Sequence, residues 1–160
     1  MVRSNSVAAI QTSAAAFLCL ALFTLTTPAF ASGTSTKTTP QERATIAQQF
    51  VGQKLATWQD RLNLKDWNIQ VELVRASQLE PRTLGNIHWD ANVKKAKIDV
   101  LSSYDYTLPF AAMLNDMEFT VVHELVHLRI ASLPRSEASR RDEERAVNEL
   151  TRTLLNLAKH

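Results

Sequence analysis

Apolar residues recur at helical spacing early in the chain, at Ile46, Phe50, Val51, Leu55, Trp58 and Leu62. Just upstream, Thr39 stands at an N-cap position, Pro40 suits the first helical position, and Glu42 has the spacing of a capping box. A first helix is predicted from about Pro40 to Leu62. The period then falls to two. Trp67-Asn68-Ile69-Gln70-Val71-Glu72-Leu73-Val74 alternates apolar and polar, as a half-buried strand does. Glu80-Pro81-Arg82 breaks the chain. Leu84-Gly85-Asn86-Ile87-His88-Trp89 and Lys95-Ala96-Lys97-Ile98-Asp99-Val100-Leu101 read as two further strands. Asp90-Ala91-Asn92 lies between them, so they are close enough for a hairpin.

Ser102 to Pro109 reads as a polar and aromatic loop. A strongly apolar helix follows, from about Phe110 to Ser132, and Leu133-Pro134-Arg135-Ser136 ends it. Ser136-Glu137-Ala138-Ser139 suits the start of a last helix reaching about Ala158. Its apolar stripe is Ala146, Val147, Leu150, Leu154, Leu157 and Ala158. The order is helix, small three-stranded sheet, helix, helix. That order predicts an α+β domain with helices packed on one sheet. At 160 residues, 45% of them hydrophobic, the chain can bury one real core, and no internal repeat suggests a second domain.

The apolar helix carries the candidate chemistry, His123-Glu124-Leu125-Val126-His127, an H-E-x-x-H pattern. Histidines at i and i+4 lie one above the other on one helix face, so both imidazoles can reach one metal ion. Glu124 projects beside that ion and can polarise a water on it. The bland alternative is a core helix with two merely polar histidines. The surroundings oppose it: Phe119, Val121, Val122, Leu125, Val126, Leu128 and Ile130 make an apolar setting in which bare polar groups are costly.

The N-terminus changes the compartment. Arg3 precedes an apolar run from Ala14 to Leu25, and Thr26-Thr27-Pro28-Ala29-Phe30-Ala31 ends in Ala-x-Ala. Residues 1–31 therefore read as a secretory signal peptide cleaved after Ala31. The run is short for a spanning helix, and one Arg is few for a transit peptide. A secreted or periplasmic protein is expected, with no membrane span after cleavage. Residues 32–40 are Ser/Thr-rich and read as a flexible linker, and residues 41–160 form the domain. Cleavage would leave 160 − 31 = 129 residues and remove only Arg3 among the charges, so 18 − 1 = 17 basic residues face 16 acidic ones. So small an excess leaves no nucleic-acid footprint. Cys19, the one cysteine, would leave with the signal. A metal site must then use His and carboxylate, which suits an open catalytic zinc better than a closed structural one.

Catalytic zinc takes three protein ligands. The last helix offers Glu143, near the middle of its apolar stripe, and Glu144, at the edge on the line of Val147, Asn148, Thr151 and Leu155. Periodicity does not choose between them. Acids in a first turn are favoured by the helix dipole in any case.

Here the chain resembles the small gluzincins, zinc metallopeptidases of the minigluzincin type. These carry H-E-x-x-H on one helix and a zinc-binding Glu on the next, commonly followed four residues later by Asp or Asn. Glu144-Arg145-Ala146-Val147-Asn148 matches that layout, whereas a start at Glu143 would put Val147 at the polar position. Asp66-Trp67-Asn68-Ile69-Gln70-Val71, Leu84 to Asp90 and the strand around Ile98 also resemble small phage and bacterial metallopeptidases. The likeness spans about residues 41–158. No H-x-x-G-x-x-H follows His127, and the one later histidine is His160.

The resemblance implies a small zincin-like domain holding Zn²⁺ on His123, His127 and Glu144. It implies a secreted zinc metallopeptidase in which Glu124 is catalytic, activating a zinc-bound water against a peptide bond. Asn148 would orient a ligand histidine. A peptide or protein substrate would pair with Lys97 to Leu101 by strand addition. The oxyanion stabiliser is unassigned among Tyr104, Tyr106, His88 and Arg129. Two rival readings remain: a non-catalytic extracytoplasmic binding or inhibitory module on the same fold, and a zinc amidase acting on cell-wall peptides.

Overall fold

The computed structural model describes residues 38–131 and 140–159. The expected signal peptide and its cleavage after Ala31, most of the expected linker, the expected break at residues 133–136 and His160 lie outside the described residues.

The first helix, α1 (Pro40–Arg61), begins as its sequence predicts. Thr39 Oγ1 accepts from the Glu42 N–H at 3.2 Å, and Glu42 Oε2 accepts from the Thr39 N–H at 2.7 Å. Two otherwise orphaned donors are satisfied reciprocally. Asn63 ends the helix in the left-handed region (φ 54°), which Asn tolerates better than most residues. Gln59 Nε2 then ties the following turn by donating to Leu64 O at 3.0 Å and Trp67 O at 2.7 Å. The buried face is Ala47, Val51, Leu55 and Trp58. Ile46, expected on that face, is 40% exposed instead; Ala47, one residue on, takes the core position with only a methyl group.

Three strands follow, β1 (Asn68–Val74), β2 (Gly85–Asp90) and β3 (Lys95–Leu101). A short 3₁₀ turn, Ala76–Gln78, comes between the first two. The sheet order is β1-β3-β2. The expected hairpin forms: β2 runs antiparallel to β3, with Ile87 opposite Ile98 and Gly85 opposite Val100. β1 pairs with the other side of β3 in parallel, Val71 opposite Ile98. β3 is thus the central strand, and its apolar residues Ala96, Ile98 and Val100 are all buried.

The second long helix, α2 (Phe110–Ile130), touches α1, β2, β3 and the last helix, α3 (Arg140–Leu157). Met113, Met117, Val121, Val122, Leu125 and Leu128 bury most of its circumference. Polar groups at its flank are paired: Glu118 accepts from Trp58 Nε1 at 2.9 Å and meets Lys54 Nζ at 2.8 Å. On α3, Val147 and Thr151 are buried and Leu154 and Leu155 half-buried, while Leu150 and Leu157 are 48% and 70% exposed. The predicted stripe is therefore displaced toward the line of Glu144, Asn148 and Thr151. A small residue such as Thr151 lets α3 come close to α2, which a leucine at that position would oppose. Among the described residues the fold is α+β, three helices and one mixed sheet, as the element order predicts. Among the described residues no helix is long and apolar enough to cross a membrane.

Candidate metal centre

His123 and His127 stand one helical turn apart on α2, and their Nε2 atoms approach to 3.1 Å. Glu144 reaches them from α3. Its Oε2 is 3.5 Å from His123 Nε2 and its Oε1 3.3 Å from His127 Nε2. The three side chains form a compact group of potential metal ligands. Tetrahedral ligands at zinc bond lengths of about 2.0–2.1 Å stand about 3.3 Å from one another. The two histidine nitrogens stand near that edge length, and one ligand atom from each of the three residues lies within 4.8 Å of the others, so the donor set can close on Zn²⁺ with a small adjustment of the Glu144 carboxylate.

Glu143 is brought to the same place with a different task. Its Oε1 lies 3.1 Å from His127 Nδ1. With the Nδ1 proton donated to this carboxylate, the Nε2 lone pair of His127 is free for a metal. His123 has no equivalent support among the described residues, where its buried Nδ1 has no hydrogen-bond partner. Burial holds the His123 pKa below the ordinary imidazole value; His127 lowers it further and Glu144 opposes the shift. A depressed pKa keeps the imidazole neutral, as a metal ligand must be.

Asn148 does not perform the role expected of it. Its Nδ2 donates to Glu144 O, one turn back on its own helix, at 2.8 Å. The histidine-orienting contact belongs to Glu143, which stands on the face of α3 that meets α2.

Glu124 is 7% exposed. Burial pushes its pKa up to about 8, and the nearby Glu144 charge adds to the shift. It sits against the start of β2. A Cβ added at Gly85 would lie 3.5 Å from Glu124 Oε1, 2.4 Å from Thr120 Cγ2 and 2.8 Å from Asp99 O. Only glycine lets β2 come this close to α2. The sequence shows a glycine in a strand but gives no sign of the partner it must clear.

A cleft of about 870 Å³ runs between β2 with its preceding turn and the facing sides of α2 and α3. His123, Glu124, His127, Glu143 and Glu144 line one wall, and Arg82 and the residues of β2 line the other. The cleft-side strand is therefore β2, not the Lys97–Leu101 strand. β3 already has a hydrogen-bonded neighbour on each side and has no edge to offer a peptide.

Of the four oxyanion candidates, only His88 lines the cleft. Tyr104 donates to Gln41 Oε1 at 2.8 Å, and Tyr106 donates to Asp116 Oδ2 at 3.0 Å. These bonds tie the loop after β3 to α1 and α2. Arg129 is exposed on α2 and is not part of the lining. Arg82 is a cleft residue that pattern reasoning passes over, because it sits in a chain break rather than in an element.

Comparisons with family models, curated proteins and solved structures find no match. The chemistry of the site is accordingly argued from the chain's own residues.

Proposed function

We propose that the protein is a zinc-dependent peptidase of the zincin kind, exported by residues 1–31. The observation that carries this reading is the convergence of His123, His127 and Glu144, with a ligand atom from each within 4.8 Å of the others, beside a buried Glu124 on the wall of an open cleft. His123, His127 and Glu144 would hold the ion. Bound there, zinc supplies Lewis acidity, lowering the pKa of a water and polarising a carbonyl.

The chain's own groups do the rest. Glu143 keeps the His127 ring in one tautomer and orientation. Glu124, whose pKa of about 8 in the bare site would be drawn down by a neighbouring cation, takes a proton from the attacking water and later gives it to the leaving amine. The outer edge of β2 has backbone donors and acceptors with no neighbouring strand among the described residues, and it borders the cleft. An extended peptide can pair there, which fixes its carbonyl beside the metal ligands.

Metal analysis of the purified protein, joined to a broad peptide-library digest with and without chelator, tests this. About one zinc per chain, the stoichiometry of a single three-ligand site, and chelator-sensitive cleavage are expected. Stoichiometric zinc with no cleavage would favour the non-catalytic binding module. Cleavage confined to cell-wall cross-links would favour the amidase.

A further inference from the structure

Glu80-Pro81-Arg82-Thr83 forms a tight turn at the rim of the cleft. The Thr83 N–H donates to Glu80 O at 3.1 Å, and Thr83 Oγ1 donates to the same oxygen at 2.9 Å. Pro81 occupies the second position and Arg82 the third, with φ 69°. A turn of this kind demands positive φ at its third position, where Gly or Asn is the usual choice. Arginine there is strained.

Two other non-glycine residues among the described residues have positive φ, Asn63 and Lys94. Asn63 is a residue type that tolerates the conformation. Lys94 (φ 50°) is a second long side chain held there, and its charge is paired with Asp66. Arg82 has neither a tolerant residue type nor a paired charge. It is exposed, and among the described residues its guanidinium has no hydrogen bond or ion pair, not even with Glu80 on the same turn. It is also the one lysine or arginine among the described residues that line the cleft. The acidic residues there are Glu80, Glu124, Glu143 and Glu144, the last three gathered around His123 and His127.

We infer that Arg82 is a specificity residue, holding a carboxylate of the substrate peptide close to the bond under attack. The inference rests on the peptidase reading. Arg82 lies three residues before Gly85, whose position abuts Glu124. A chain spans at most about 3.3–3.6 Å per residue, so Arg82 reads a substrate position within about three residues of the scissile bond. A guanidinium presents a planar fork of donors that matches a carboxylate bidentately. With no internal partner to give up, Arg82 loses no protein contact when it binds one. The carboxylate is either that of an acidic side chain or the free C-terminus of the peptide.

Matched peptides distinguish the two sources and test the claim. One set places Asp or Glu against Asn or Gln at each of three positions on either side of the cleaved bond. The other compares free with amidated C-termini. Binding to the zinc-loaded Glu124→Gln protein is measured by fluorescence anisotropy, and cleavage by the wild-type protein is measured in parallel. In one of the two sets, the carboxylate peptide should bind about tenfold more tightly than its neutral counterpart. That preference should shrink at high salt, disappear in Arg82→Gln and survive in part in Arg82→Lys, with neutral peptides bound equally by all three. Arg82→Gly, which relieves the turn, should melt at a higher temperature than the arginine form and lack the preference. Peptides that bind without any carboxylate preference, or a preference that persists in Arg82→Gln, would overturn the inference. If the wild-type protein cleaves nothing while the binding preference holds, the peptidase reading fails and Arg82 is a carboxylate-binding residue of a non-catalytic peptide cleft instead.

Discussion

Glu143 Oε1 meets His127 Nδ1 at 3.1 Å, on the side of the ring opposite to the nitrogen that faces Glu144. Adjacent acids on one helix thus divide two tasks, ligand and ligand support. Glu143→Gln should keep zinc but weaken it about 10–100-fold, the usual cost of losing such a partner. Glu144→Ala should lose more. Competition titration against a chelator measures both. A larger loss in the Glu143 variant would exchange the two roles.

Glu124 makes the metal-free protein sensitive to pH. Its folded pKa of about 8 stands above the ordinary value of 4.5, so the native state keeps a proton that the unfolded chain releases. The stability this proton represents is fully present below the unfolded pKa and is lost as pH rises through the folded one. Relative to Glu124→Gln, urea unfolding of the metal-free protein should show a decline of a few kcal/mol between about pH 5 and about pH 8, the depressed pKa of His123 acting in the opposite direction in both proteins. Glu124→Gln should flatten that slope, and so should saturating zinc. An equal decline in Glu124→Gln would place the titration elsewhere.

Gly85→Ala tests the close approach of β2 to α2. The new methyl would meet Thr120 Cγ2 at 2.4 Å and the Asp99 carbonyl at 2.8 Å, and a backbone oxygen in a central strand has little room to yield. A loss of about 1–3 kcal/mol is expected, as for overpacked sites. Thermal melts read it. An unchanged melting temperature would mean that β2 stands further off than described.

Trp58→Phe separates fold from site. It removes the indole N–H that Glu118 accepts, leaving that carboxylate to Lys54 alone. A loss of about 1–2 kcal/mol is expected, with zinc affinity unchanged. Chemical denaturation and the same chelator titration check the two halves.

The elements were legible in the sequence because each carries its period locally. The capping box at Thr39 and Glu42 and the alternation through Ile69, Val71 and Leu73 depend on near neighbours alone. The hairpin of β2 and β3 is equally local. The parallel pairing of β1 with β3 is not, and without it the strand bordering the cleft is misassigned. The spacing of His123 and His127 is a property of one helix, so their approach is foreseeable. Which face of α3 meets them is a tertiary matter: Thr151 occupies a core position that hydrophobicity alone assigns to Leu150. The role of Asn148 at a histidine is what the resemblance implies; in the structure it bonds to its own helix, and Glu143 takes that contact.

The most direct test pairs zinc content with turnover in Glu124→Gln. Substitution leaves His123, His127 and Glu144 in place, so the variant should hold about one zinc per chain like the wild type, the stoichiometry of a three-ligand site. It should also lose peptide hydrolysis by at least about 100-fold, the lower range of what a positioned acid–base group contributes. A zinc-loaded Glu124→Gln protein that cleaves peptides as fast as wild type would contradict the assignment of Glu124, and with it the proposed peptidase.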